Sequence, residues 1–206
     1  MIELNDLKKD IAEMARMALD MWKMTHQAFM EHNLDLFAPV LEKESLLNEL
    51  EKQLTAELVE IGRATSTKEE REKVVGYADI VGDIELIGDY CKDILERVQI
   101  KIEEKLLFSD DAVKEYGELY QKTATALEEV AQALEKDEPD FVRRVLKQEE
   151  HIGNLVDEYR RRHDQRLIDG VCSPLACNMF LNMLDFTAAV YYHTKRIAET
   201  LVKIKK

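Results

Sequence analysis

Glu85, Asp89, Asp93 and Glu96 are the residues of this chain whose types and spacing could do chemistry. On a helix, at about 100° per residue, positions four apart differ by only about 40° around the axis. The four side chains therefore form one acidic stripe. Like charges so placed weaken an exposed helix by roughly a few tenths of a kcal/mol per pair unless a cation or facing basic residues compensate them. Carboxylates without Cys or His suit hard, oxygen-preferring cations such as Mg²⁺, Ca²⁺, Mn²⁺ or iron. The same stripe also reads as the solvated face of an acidic protein, and spacing alone does not separate the two readings. Glu44 is a second candidate, with Asn48 four residues on; Glu149 has Gly153 at the corresponding step. Both also read as ordinary helix surface.

Other chemistries lack their parts. A ferritin-like di-iron centre needs Glu-x-x-His pairs, but Lys23, Phe29, Gln148, Arg160 and Val190 stand three residues before His26, His32, His151, His163 and His193. There is no nucleophile elbow, P-loop or G-x-G-x-x-G, and the 7 glycines are scattered singly. No catalytic apparatus is legible. Cys172 and Cys177 are five apart, not a C-x-x-C, and no His pair completes a zinc site. With Cys91 they make an odd number in a chain too large to need disulfide staples, so all three are expected reduced and mostly buried. Met14, Met17, Met21 and Met24, beside Trp22, have the spacing of core packing more than of a binding groove. Arg160-Arg161-Arg162-His163 reads as a solvated basic face balancing nearby acid.

Composition sets the frame for these residues. With 46% hydrophobic residues in a 206-residue chain, a buried core is expected; 3 prolines, 7 glycines and 34% charged residues favour long helices over a many-turned β-fold. The formal charge of −13 repels nucleic-acid phosphates and anionic lipid head groups. No apolar run approaches the ~20 residues needed to cross a bilayer, and the first ten residues lack a signal-peptide core. A cytoplasmic location without membrane insertion is expected.

The elements that must position the candidates follow from periodicity. Leu4, Leu7, Ile11, Met14, Met17, Met21 and Met24 line one stripe of a first helix. Asp35 is the expected N-cap of a second helix running to Gly62, with Pro39 in its first turn. Thr67 and Glu70 form a capping box for a third, carried by Val74, Val81, Ile84, Ile87, Cys91, Ile94, Val98 and Ile102 to about Leu106. Ser109 caps a fourth ending near Lys136; Asp137-Glu138-Pro139 opens a fifth closed by Gly170; Ser173-Pro174 opens a sixth. Short links make neighbours antiparallel.

The halves resemble each other. Leu36-Phe37-Ala38-Pro39-Val40-Leu41-Glu42-Lys43-Glu44 runs beside Phe141-Val142-Arg143-Arg144-Val145-Leu146-Lys147-Gln148-Glu149, at an offset of 105. The expectation is an all-α protein of two tandem three-helix bundles, residues 1–107 and 108–206.

Asp83-Ile84-Glu85-Leu86-Ile87-Gly88-Asp89-Tyr90-Cys91-Lys92-Asp93-Ile94 resembles the PhoU signature, roughly L-E-R-I-G-D-H-A-x-N-I-A. The likeness covers nearly the whole chain, and Lys101 to Ala112 and Asp169 to Ser173 look most like the cytosolic PhoU-like tail of bacterial Na⁺/phosphate cotransporters. PhoU proteins are built from two three-helix repeats and carry E(D)-x-x-x-D motifs that bind iron or other metals on the bundle surface. The resemblance therefore implies a metal site at Glu44, Asn48, Glu85 and Asp89, with Asn48 standing where the motif has Asp and acting as a neutral oxygen ligand. The ion implied is iron or another cation such as Mn, Mg or Ca. In the second half Ala188 and Tyr192 replace Glu85 and Asp89, so no second site is expected.

The function implied is regulation of phosphate transport or phosphate signalling, with no enzymatic activity, by docking onto the inner face of a phosphate transporter or a sensor kinase. Self-association into a homodimer is a further expectation, because long helices offer side faces to partner helices. The rival reading is a purely structural helical scaffold or adaptor without metal. A metal-dependent phosphohydrolase is weaker, since no base or nucleophile accompanies the carboxylates.

Overall fold

The computed structural model describes residues 4–136, 139–147 and 149–204. Among these, regular structure is helical: α1 (Leu4–Glu31), a 3₁₀ turn (Leu34–Leu36), α2 (Phe37–Ala64), α3 (Lys68–Glu103), α4 (Asp110–Lys136), α5 (Pro139–Lys147), α6 (Glu149–Ile168) and α7 (Pro174–Ile204). The stretch expected as one fifth helix is described as α5 and α6, on either side of Gln148, and its expected start at Asp137-Glu138 lies outside the described residues.

The helix starts have local causes. Thr67 Oγ1 accepts from the Glu70 backbone N–H at 3.3 Å and donates to the Glu70 carboxylate at 2.8 Å, so the expected box closes through the hydroxyl. The Ser109 and Ser173 hydroxyls accept from the Ala112 and Ala176 N–H groups, each at 3.2 Å. Asp35 does not cap α2. Instead Asn33 Oδ1 accepts from the Asp35 N–H at 2.9 Å, capping the 3₁₀ turn that delays α2 to Phe37. Leu36 therefore stands at the N-cap position of α2, without a side-chain cap, and Asp35 lies one residue too early to serve. The α6–α7 turn passes through Gly170 at φ 69°, a left-handed position that glycine adopts without a Cβ penalty.

Within the first half α1, α2 and α3 pack on one another; in the second, α4 packs on α5, α6 and α7, and α7 on α5 and α6. The halves meet through α3 against α7 and α1 against α4, which are counterparts under the internal repeat. One continuous apolar core runs through both, including Trp22, Ile84, Ile87, Leu127, Phe180 and Met183. Met14 and Met21 are fully buried and Met17 and Met24 flank the core, so the methionine stripe is packing. Aromatic rings line the contact of the halves: Trp22 and His26 stack on Tyr120 at 5.5 and 3.6 Å between centroids, and Phe29 meets Tyr116 edge-on at 4.8 Å. On the outside of this contact Arg16 grips Glu135 with two bonds of 2.5 and 2.7 Å, a geometry a planar guanidinium is shaped for.

Candidate functional site

The acidic candidates lie where α2 packs on α3. Gly88 sets how closely they approach: a Cβ there would lie 2.6 Å from Leu47 Cδ1. Leu47 and Gly88 are the chain neighbours of Asn48 and Asp89, so this contact fixes the spacing of the carboxylate-bearing faces.

Glu44, Asn48, Glu51, Glu85 and Asp89 are all half-buried along this seam. Lys92, one turn beyond Asp89, reaches into it. Its Nζ donates to Glu44 Oε1 at 2.5 Å and lies 3.6 Å from Asp89 Oδ1. The bond to Glu44 holds the Lys92 ammonium above its ordinary value. Asn48 Nδ2 donates to the same Glu44 oxygen at 3.1 Å, which leaves Asn48 Oδ1 buried without a partner among the described residues.

Burial raises the Glu85 pKa, and repulsion from Asp89, Glu51 and Glu44 raises it further; Lys92 offsets only part of this. Asp93 is likewise raised by burial and then by Glu96 and Asp89. Glu44, Glu51, Glu85 and Asp89 thus face one internal cation, Lys92, and the site keeps excess negative charge.

This donor set fits a hard cation: carboxylate and amide oxygens, an orphaned buried Asn48 oxygen and uncompensated charge. The carboxylates are nevertheless not drawn into a tight cage. Among the described residues, the one set of three or more His, Cys, Asp or Glu side chains with ligand atoms within 4.8 Å of one another is His163, Cys172 and Cys177. In the second half Ala188 packs against the core and Tyr192 is exposed, while the Glu149 side chain lies outside the described residues.

Three features escape sequence reasoning. Asp83, 2% exposed, joins His193 and Arg196 across the α3–α7 contact. Lys101 is buried between the Phe29 and Phe108 rings, with its Nζ 2.5 Å from His32 Nε2, and burial lowers its pKa. Its polar type at an apolar-stripe flank was the available signal. The third is the cysteine pair. The expectation of three reduced cysteines is corrected: Cys172 and Cys177 are joined by a disulfide, because the α6–α7 reversal brings their Cα atoms to 6.1 Å, while Cys91 stays a buried thiol. The expected basic island also divides, since Arg160 pairs with Asp185 and Arg162 with Glu158, but His163 is buried.

Fold and site together define an all-α protein of two packed helical units, α1 to α3 and α4 to α7, with an acidic seam on the first. Residues 11–98 match the family model of the PhoU domain. It is 21% identical over 204 residues, 98% of this chain and 87% of the other, to the phosphate-specific transport system accessory protein PhoU homolog 1 of Thermotoga maritima. Among solved structures it is similar to PhoU from Pseudomonas aeruginosa, with a TM-score of 0.91, 17% identity and coverage of 98% and 96% of the two chains. It is also similar to the phosphate transport system regulatory protein PhoU from Streptococcus pneumoniae, with a TM-score of 0.87, 13% identity and coverage of 98% and 95%. The fold of the whole chain is that of these PhoU proteins.

Proposed function

We propose that this chain is a regulatory protein of phosphate transport, working by binding and not by turnover, that docks onto the inner face of a phosphate transporter or onto a sensor kinase. The observation that carries the reading is full-length similarity to proteins described as accessory and regulatory components of phosphate transport. The physical form suits the role: helices of 27 to 36 residues in α1 to α4 present long side faces, and among the described residues no helix is long and apolar enough to cross a membrane. Self-association into a homodimer would use the same kind of face.

Affinity capture of the full chain with detergent-solubilised membranes of its own cells tests this reading. Recovery of a phosphate transporter or a sensor kinase supports it. A chain whose deletion leaves phosphate uptake unchanged, and which captures neither, is the structural scaffold of the rival reading.

A second element of the proposal is a hard cation, iron or Mn²⁺, Mg²⁺ or Ca²⁺, at Glu44, Asn48, Glu85 and Asp89. The orphaned Asn48 Oδ1 and the mutual repulsion of Glu85 and Asp89 support it. Lys92 is the internal competitor, and an entering ion must displace its ammonium from Glu44. The ion would lower the repulsion along the seam and tie α2 to α3.

A further inference from the structure

We propose a second, unrelated site: with the Cys172–Cys177 disulfide reduced, Cys172 Sγ, Cys177 Sγ and His163 Nε2 bind a thiophilic d¹⁰ cation such as Zn²⁺ at the α6–α7 turn. The three side chains come from two helices and the turn between them, and their candidate ligand atoms lie within 4.8 Å of one another. Around a tetrahedral ion with bonds of about 2.0 to 2.3 Å, two ligand atoms stand roughly 3.5 to 3.8 Å apart, which lies inside that limit. A Cα separation of 6.1 Å lets the sulfurs either bond each other or share an ion.

His163 is the observation that points to a ligand. It is 2% exposed, on the last turns of a helix where the adjoining Arg161 and Arg162 are exposed, and its ring lies on Phe180 at 4.2 Å between centroids. Arg166 Nη2 is 3.1 Å from Nδ1, and a guanidinium only donates, so Nδ1 accepts. Nε2 makes no well-formed hydrogen bond among the described residues, although the Cys177 backbone lies close enough to act on the ring. A buried imidazole nitrogen without a well-formed hydrogen bond is destabilising, and a bond to a cation removes that cost. Cys172 is half-buried, giving the ion a route in, and Cys177 closes the inner side.

The chemistry balances in two steps. A dithiol or phosphine reductant supplies two electrons to the disulfide and two protons complete the thiols. Zn²⁺ then displaces both thiol protons and takes the Nε2 lone pair, while the neutral imidazole moves its hydrogen from Nε2 to Nδ1. Arg166 keeps its two bonds to Glu115, at 2.5 and 3.1 Å, as Nδ1 ceases to accept. Two thiolates and one imidazole are a soft donor set, unlike the oxygen set of the α2–α3 seam, so the two sites select different ions.

Cobalt(II) is the probe. The full chain, reduced with a phosphine and desalted, is titrated with Co²⁺ and followed by its thiolate-to-metal charge-transfer absorption. The expected result is a saturable band in the reduced chain, absent from the oxidised chain, bleached by Zn²⁺, lost in C172S and in C177S, and kept in C91A. The E85Q/D89N double variant keeps it too, which separates this site from the acidic seam. H163Q shifts the visible bands of the bound ion, because a nitrogen ligand is gone; a thermal melt by circular dichroism confirms that the variant is folded, and H163N repeats the test should it not be. A reduced wild-type chain without the band, a band that survives both serine substitutions, or an unchanged spectrum in a folded His163 variant overturns the proposal.

Discussion

His193 Nδ1 donates to Asp83 Oδ1 at 2.7 Å, and the pair is buried where α3 of the first half packs on α7 of the second. Arg196, one turn on, reaches the same oxygen at 3.2 Å, and Asp83 Oδ2 has no partner among the described residues. A buried carboxylate held from one side costs more to disturb than a surface pair, because the group left behind stays desolvated. Asp83 opens the segment that resembles the PhoU signature, yet its partners come from the other half of the chain.

Asp83→Asn is expected to destabilise the fold by about 1–3 kcal/mol, since an amide accepts more weakly and brings a donor facing Arg196. Urea unfolding at neutral pH measures it. His193→Ala combined with Asp83→Asn should cost less than the sum of the single changes, because the residues share one interaction.

Gly88→Ala should be destabilising by about 1 kcal/mol net, because the new methyl meets Leu47 Cδ1, which is fully buried, and the helix-propensity gain of about 1 kcal/mol offsets part of the overpacking. Leu47→Ala, itself a costly large-to-small core change, combined with Gly88→Ala should cost less than the sum of the two single changes, because the new methyl occupies space that the leucine vacates. The same pair tests the link from packing to site: an α2 pushed outward by Gly88→Ala should weaken cation binding in a calorimetric titration, since Glu44 and Asn48 move away from Asp89.

Removing Lys92 should favour an external cation. Lys92→Met is expected to tighten Mn²⁺ or Fe³⁺ binding, because the competing ammonium is gone from Glu44 and Asp89. Glu85→Gln and Asp89→Asn are expected to abolish the binding heat of the metal-stripped chain. No heat dependent on Glu85 and Asp89 in any of these proteins refutes the cation site.

Two histidines tie stability to pH. Burial lowers the pKa of both His26 and His163 from 6.5 to about 4. In the unfolded chain both regain ordinary values, so below about pH 6.5 the unfolded state takes up protons that the folded state refuses. Stability should therefore be full above that pH, fall as the pH drops towards 4, and lose no more from these groups below it. The slope within the window is at most about 1.4 kcal/mol per pH unit for each histidine. His26→Gln should flatten the dependence of the urea midpoint between about pH 7 and about pH 5.

The helices, their order and the acidic face of α3 were legible in the residues, because 3.6-residue periodicity and local caps act within one or two turns of chain. Thr67, Ser109 and Ser173 show this. Each satisfies a backbone donor three residues away, whatever packs around it later. Asp35 shows the limit, since two Asx residues compete for the same turn and only the backbone path decides between them. Glu44, Asn48, Glu85 and Asp89 were picked out by type and spacing, but Lys92 appeared in the sequence only as a neighbour of Asp89.

Tertiary structure alone decided that Lys92 turns to Glu44, that Asp83 meets His193, and that His163 is buried beside Cys172 and Cys177. These pairs are 48, 110 and 9 to 14 residues apart along the chain. Periodicity fixes which side of a helix a residue occupies, but only the packing of helix on helix fixes what faces it. The solvated arginines around His163 and the core around Asp83 follow from that packing, and the charge of each site follows in turn.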